Sequence, residues 1–94
     1  MDDKSMIKGK TESGFEFELH DEVMDNMELV ELLVDINTTG NPIALGNAMT
    51  AMLGADQKKA LYDHLRTEDG RVPVSKVSMA FVDVVKAAKE KGKN

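Results

Sequence analysis

The sequence predicts an α+β fold, mostly α-helical, in which an N-terminal β-hairpin packs on a bundle of about four helices. Two observations favour this fold class. Polarity alternates residue by residue on both sides of a turn signal over about residues 6–19, as in two paired strands with one buried face. Farther along, apolar residues recur at helical spacing between asparagine, proline and glycine residues that mark helix ends. With 94 residues, the chain is the size of one small domain, residues 1–94.

The predicted hairpin turns through a three-residue loop, Glu12-Ser13-Gly14. This loop sets oppositely charged residues against one another on one face of the hairpin and places apolar residues on the other face. The expected pairs are Lys10 with Glu16, Gly9 with Phe17, Lys8 with Glu18 and Ile7 with Leu19. Gly14 takes the left-handed conformation that such a loop requires. Because an isolated hairpin is marginally stable in water, we expect its apolar face to pack on the helices.

Four helices are expected, and Asp21, Asn41 and Asp56 are the expected N-caps of the first three. The predicted ranges are about 21–37, 42–53, 56–67 and 74–90. Gly54 is the expected end of the second helix. The apolar positions that predict the first and last helices are Val23, Met24, Met27, Val30, Leu33 and Val34, and Val74, Val77, Phe81, Val84, Val85 and Ala88. Beyond Gly92 we expect the C-terminal tail to fray.

Acidic and basic residues are distributed unevenly along the chain, which has a formal net charge of −5. Residues 1–37 carry eleven acids and three lysines, a net charge of −8, while residues 38–94 carry nine bases and six acids, a net charge of +3. The negative total disfavours nucleic acids and anionic membranes as partners. The opposed charges of the two parts are a candidate basis for head-to-tail association of copies. With no cysteine, no apolar signal core and no membrane-spanning run, we expect a soluble intracellular protein.

No group of residues in the sequence predicts catalysis, a cofactor site or a metal site. The two histidines, His20 and His64, are far apart, and no cysteine accompanies them. The segment "DINTTGNPIALG" begins like a calcium-binding loop, but Gly46 replaces the glutamate needed at the last position, so we interpret the segment as a break between helices. The third and fourth helices have the arrangement of a helix-turn-helix, but the fourth has no arginine for reading bases. We therefore expect a protein without enzymatic activity.

Many polar side chains are concentrated in the stretch "LYDHLRTEDGRVPV", residues 61–74. Leu61 and Leu65 are four residues apart and are expected to face the core, while Tyr62, Asp63 and Arg66 are expected to share the outer surface. The acids that follow, closed by a glycine, are typical of a polar turn. We interpret the stretch as a charged corner between two helices.

Several segments of the chain, in order, resemble the small tail assembly chaperones of long-tailed bacteriophages and of prophages of Gram-positive bacteria. They are "IKGKTESGFEFEL", "DEVMDNMELVELLVDI", "NPIALGNAMTAML" and "LGADQKKALYDHLRTEDGRVPV", followed by a final helix. The resemblance spans nearly the whole chain. It implies a non-enzymatic, mostly helical protein that self-associates and binds the tape measure protein during phage tail assembly, with the tail tube protein as a further candidate partner.

The resemblance also implies a place of action, the cytoplasm of the bacterial host, and absence from the mature virion. Many members of the family are made in a second, longer form by ribosomal frameshifting. The alternative function is a small phage or prophage regulatory adaptor that binds a protein partner or DNA.

Because a tape measure protein is a very long helical chain, a chaperone for it needs adaptable apolar surface rather than an active site. Methionines at helical spacing and the small residues of the second predicted helix are candidates for this surface and for self-association. The candidate residues are Met24, Met27, Ala44, Ala48, Met49, Met52 and Met79.

Overall fold

The computed structural model describes residues 6–91, which form an α+β fold that is mostly helical. Its elements are β1 (Met6–Lys10), β2 (Glu16–His20), α1 (Met27–Thr39), α2 (Pro42–Leu65) and α3 (Val74–Lys91). The predicted fold class and the N-terminal hairpin are confirmed, but the described residues form three helices rather than about four. The predicted fraying of the tail beyond Gly92 lies outside the described residues.

The hairpin lies over the two C-terminal helices, with β1 against α3 and β2 against α2. α1 packs on α2, so α2 is the central element of the fold. One hydrophobic cluster contains side chains from all five elements. Its most deeply buried large side chains are those of Leu19, Leu29, Met49, Leu61 and Val84.

The two strands pair antiparallel in the predicted register. The loop closes because the Thr11 N–H donates to the Phe15 carbonyl (2.9 Å) and the Gly14 N–H donates to the Thr11 carbonyl (2.9 Å). Gly14 has a φ of 97°, in the left-handed region that favours glycine. The lysines and glutamates of one face are exposed. The buried side chains of the other face are those of Ile7, Thr11, Phe17 and Leu19.

Side chains of α2 and α3 hold the hairpin in place by hydrogen bonds. Gln57 of α2 pairs with the outer edge of β2, where its Nε2 donates to the Glu18 carbonyl (2.8 Å) and its Oε1 accepts from the Glu18 N–H (2.8 Å). This side-chain amide takes the place of a neighbouring strand. On α3, Asp83 Oδ2 accepts from the Glu12 N–H at 3.0 Å. The hairpin is therefore tied to both helices by polar contacts as well as by apolar packing.

α1 begins at Met27, six residues later than predicted. Asn26 is the N-cap instead of Asp21, because its Oδ1 accepts from two backbone N–H groups of the first helical turn, at 3.0 and 3.4 Å. The preceding residues form turns. Val23 and Met24, which were expected inside the helix, pack on the core from these turns. Their apolar spacing therefore reflects burial and not helical structure.

The break between α1 and α2 has the form that the sequence predicts. Gly40 has a φ of 69°, and its N–H donates to the Ile36 carbonyl (2.9 Å), which ends α1. Asn41 caps α2, because its Oδ1 accepts from the Ile43 N–H (2.9 Å), and Pro42 is the first helical residue. The segment that begins like a calcium-binding loop is a helix stop followed by a helix start.

The second and third predicted helices form one element, α2, which is kinked at Gly54. This residue has a φ of 84° and a ψ of 163°, so the predicted helix end does leave the helical conformation. Helical residues resume directly after it, and Asp56 lies inside α2 rather than at a separate helix start. A single glycine absorbs the change of direction without a linker because it has no Cβ atom to clash.

Phe17 occupies the space that a larger residue at position 9 would need. A Cβ atom on Gly9 would lie 2.5 Å from Phe17 Cζ and 3.3 Å from Ala87 Cβ. Phe17 is buried and Ala87 belongs to α3, so neither can move without loosening the contact between hairpin and helix. Glycine at this position therefore allows β1 to approach both.

We expect Gly9→Ala to lower the free energy of unfolding by about 1–3 kcal/mol, because the added methyl group overpacks the contact with Phe17. Urea denaturation followed by circular dichroism measures the change. Adding Phe17→Leu removes the clashing Cζ atom, so the double variant should be less destabilised than the sum of the two single variants. Additive losses would contradict the clash.

We expect Gln57→Glu to lower the free energy of unfolding by about 1–2 kcal/mol. A carboxylate cannot donate the hydrogen bonds that Gln57 makes to the carbonyls of Glu18 and Leu53, both at 2.8 Å. Thermal or urea denaturation measures the loss. Ala60→Glu is the control, since it adds the same charge at an exposed position of α2, and an equal loss in both variants would argue against the edge pairing.

Candidate interaction surfaces

Catalytic and metal-binding chemistry needs several polar side chains that meet at one place. Within residues 6–91, no three His, Cys, Asp or Glu side chains are placed to hold a metal ion. His64 lies beside the hairpin loop, with its Nε2 3.1 Å from the Ser13 carbonyl oxygen and its ring centroid 5.7 Å from that of Phe15. These contacts hold the loop on α2. The described surface is distinguished instead by aligned apolar residues.

The corner between α2 and α3 is the charged turn that the sequence predicts. Leu61 and Leu65 are buried at its start. Tyr62, which was expected on the outer surface, is half-buried and packs on the core. The Thr67 N–H then donates to the Arg71 carbonyl (2.8 Å), and the Arg71 N–H donates back to Thr67 Oγ1 (3.2 Å). Asp69 accepts hydrogen bonds from the Thr67 hydroxyl and from Arg71 Nε. The polar groups of this stretch therefore stabilise a turn.

Two carboxylates at this corner are held in their charged form. Hydrogen bonds from Arg66 and then Lys59 lower the pKa of Asp63, whose oxygens lie 2.9 Å from Arg66 Nη2 and 3.3 Å from Lys59 Nζ. Hydrogen bonds from the Thr67 hydroxyl and then from the Arg71 side chain lower the pKa of Asp69. Because both carboxylates are exposed and solvent screens them, each pair contributes little to stability.

The seven residues predicted for a partner or self-association surface divide between the core and the outside of the fold. The four that are buried in the core are Ala44, Ala48, Met49 and Met52. Met24 is half-buried. Met27 and Met79 are exposed, with 68 % and 63 % of their surface accessible. The small-residue face of α2 is thus packed inside the fold. Of the seven residues, Met27 and Met79 offer the most contact area to a partner.

α1 carries an exposed apolar stripe, the α1 stripe, which consists of Met27, Val30 and Val34. These residues are three and four positions apart, so they lie on one side of the helix. Val34, at the end of the stripe, is 59 % exposed. The other side of the helix packs on α2, where Leu29 is completely buried. α1 is therefore apolar on two sides, although it packs on one helix.

α3 carries a second set of exposed apolar residues, called the α3 stripe, which consists of Val74, Met79 and Val82. Met79 and Val82 are three positions apart and share one side of the helix, while Val74 precedes Met79 by five positions and lies farther round it. Met79 and Val82 line a groove between α3, the hairpin loop and the end of α2. The charged side chains along this groove are Glu12, Arg66, Lys76, Asp83 and Lys86. Lys86 and Lys89 follow Val82 by four and seven positions, so they continue the line of the stripe toward the C-terminal end of the helix.

The two stripes lie in surroundings of different charge. Glu28, Glu31 and Asp35 each follow a residue of the α1 stripe by one position, so they form an acidic row beside it. From residue 11 to residue 57 the chain has ten acids and no lysine or arginine. From residue 58 to residue 91 it has eight lysines and arginines and five acids. The α1 stripe therefore lies in an acidic part of the chain and the α3 stripe in a basic part.

Sequence reasoning missed most of these exposed residues. Val30, Val34 and Val74 have the helical spacing used to predict α1 and α3, and nevertheless they lie outside the core. Seven of the thirteen residues of α1 are apolar, which is more than contact with one neighbouring helix can bury. This excess was the available signal. Val82 was not singled out, because its neighbour Phe81 matches the buried period of α3.

The lowered pKa values of Asp63 and Asp69 predict that the corner loses stability in acid. A carboxylate whose pKa is lower in the folded state than in the unfolded state, where it is near 3.8, stabilises the fold at pH values above the unfolded-state pKa. This contribution is lost as the pH falls through the folded-state pKa. Asp63→Asn/Asp69→Asn should therefore be slightly less stable than the wild type at about pH 6, since exposed pairs contribute little, and similar to it at about pH 2. Thermal unfolding at both pH values measures the difference, and a gap of equal size at both would contradict the prediction.

In comparisons with known protein families, with curated proteins and with solved structures, the chain has no significant match. The resemblance to tail assembly chaperones therefore rests on the order and composition of the sequence segments. The structural support for any function comes from the two apolar stripes and the charges beside them.

Proposed function

We propose that the chain is a non-enzymatic tail assembly chaperone, which self-associates and binds the tape measure protein in the cytoplasm of the bacterial host while a phage tail is assembled. The observation that carries the proposal is the exposure of two apolar stripes on so small a domain. Single exposed apolar residues are common on soluble proteins. Apolar residues aligned along a helix are typical of surfaces that bind other helices.

The α1 stripe fits an amphipathic helix, whose apolar residues recur at the same three- and four-residue intervals. In the α3 stripe, Met79 and Val82 have the same three-residue interval. Met27 and Met79 suit this role, because the methionine side chain is flexible and adapts to different neighbours along a long client. A tape measure protein presents many helical segments in succession. Many copies of a small chaperone, each bound by weak contacts, would cover such a client during assembly.

The alternative is a small phage or prophage regulatory adaptor that binds a folded protein partner or DNA. Contact with DNA would have to come from α3 and the neighbouring corner, since the ten acids of residues 11–57 repel phosphate groups. The two functions differ in stoichiometry. A chaperone binds in many copies to one client, whereas an adaptor binds in one or two copies.

Co-expression with a tape measure protein from the same genome tests the proposal. We expect the client to be soluble and to purify together with many copies of the chain, as measured by pull-down and light scattering on the soluble fraction. A complex with a single copy per partner would favour the adaptor. A client that stays insoluble and unbound would contradict the chaperone.

The double variant Met27→Glu/Met79→Glu should reduce the amount of soluble client at least about tenfold, because charged groups in the stripes disfavour apolar docking. Both positions are exposed, so circular dichroism should show the wild-type helical content. Ile43→Glu is the matched control, since Ile43 is 71 % exposed but lies in neither stripe. An equal loss of soluble client in the control would rule out a specific role for the stripes.

A further inference from the structure

The two apolar stripes have complementary surroundings, and we propose that they bind one another between copies, so that α1 of one copy docks on α3 of the next. This inference deepens the self-association contained in the proposed function and rests on it. It concerns contacts between copies of this chain in the absence of client, and a client helix would compete with a second copy for the same stripes.

Within one copy, the two stripes are not placed to cover each other. α1 packs on α2, whereas α3 packs on β1 and α2, and within residues 6–91 the helices α1 and α3 share no extensive contact. All six stripe residues are exposed to solvent. Each stripe therefore keeps its contact area for another molecule.

The stripes match in length. Met27 and Val34 are seven residues apart, a rise of about 10 Å along the helix axis, while Val74 and Val82 are eight residues apart, a rise of about 12 Å. Each helix presents three apolar side chains over this distance. Two helices packed side by side can therefore bring Met79 and Val82 against the α1 stripe, with Val74 at the edge of the contact, and the groove beside Met79 extends the area that the second copy can touch.

The charges beside the stripes favour contact of α1 with α3 over contact of α1 with α1 or of α3 with α3. Contact of α1 with α1 would bring two acidic rows together. Contact of α3 with α3 would bring together two surfaces on which Arg66, Lys76 and Lys86 outnumber Glu12 and Asp83. Contact of α1 with α3 sets the acidic row against these basic side chains, which favours the mixed pair. Of the two carboxylates along the groove, Asp83 already accepts a hydrogen bond from the Glu12 backbone N–H.

Because the contact joins two different surfaces, it has a direction. A pair of copies joined in this way retains one unused α1 stripe and one unused α3 stripe, so further copies add until a ring closes or an open chain extends. Three apolar side chains on each side form a small interface. Association should therefore be weak at each contact and depend strongly on protein concentration.

Two variants of the full chain, each blocked at one surface, test the pairing. Val30→Glu/Val34→Glu blocks the α1 stripe, and Met79→Glu/Val82→Glu blocks the α3 stripe. In sedimentation velocity, we expect the wild type to associate as its concentration rises and each variant alone to associate at least about tenfold more weakly. An equimolar mixture should form a dimer through the two unaltered stripes. It should grow no further, because the two altered surfaces are both acidic.

The controls address folding and nonspecific effects of charge. All four replaced residues are exposed, and glutamate forms helices at least as well as valine and methionine, so the helical content should be unchanged. Ile43→Glu should associate like the wild type. The proposal is overturned if the wild type stays monomeric up to about 1 mM, if either blocked variant associates like the wild type, or if the mixture stays monomeric.

Sedimentation velocity and the co-expression assay together distinguish a failure of self-association from a failure of client binding. A wild-type chain that stays monomeric but keeps a tape measure protein soluble would overturn the contact between α1 and α3 and leave client binding standing. A chain that forms the mixed dimer but leaves the client insoluble would support the contact and overturn the chaperone function.

Discussion

A two-stranded hairpin has too little apolar surface to be stable by itself in water, so the hairpin of this protein depends on the helices beneath it. The contact that joins them is centred on Phe17, which is buried beside Gly9, while Gly9 in turn lies close to Ala87 of α3. With the strands fixed there, the hairpin loop reaches Asp83 and the edge of β2 reaches Gln57. The dependence is mutual, because the hairpin covers the apolar side chains of α2 and α3 that would otherwise face solvent.

α1 takes no part in this contact, and its position explains the exposed surface. It packs on α2, and Leu29 is its one completely buried side chain. Residues 6–91 form one hydrophobic cluster, and within them only α2 packs extensively on α1. The α1 stripe is therefore a consequence of the architecture. The energetic cost of exposing three apolar side chains in a row is what makes a binding role for them reasonable.

Local rules determined much of the fold, and those parts could be predicted. The hairpin register followed from the alternation of polarity and from the loop glycine, because a slip of one residue would turn Phe17 toward solvent. Local rules were insufficient where two residues can perform the same task. Asp21 and Asn26 can both cap a helix, and Asn26 is the cap because the turns before it place Val23 on the core.

The candidate surface was harder to predict. Helical spacing identifies residues that share a side of a helix, but it does not say which side another element covers, so the small residues of α2 lie in the core and two valines of α1 lie outside it.

Charge gives direction to apolar surfaces that would otherwise bind without selection. Exposed stripes on two helices can pair in three ways, and apolar contact alone favours all three about equally because it is not directional. In the proposed contact, repulsion between acidic rows and between lysine-rich surfaces disfavours the two symmetric pairings, so the remaining one joins copies in a single orientation. Salt weakens this selection between pairings, since at about 1 M it reduces the screening length for charge interactions to about 3 Å. High salt should therefore weaken the preference among the three pairings more than it weakens the apolar contact itself, because the unequal distribution of charge supplies specificity and the stripes supply affinity.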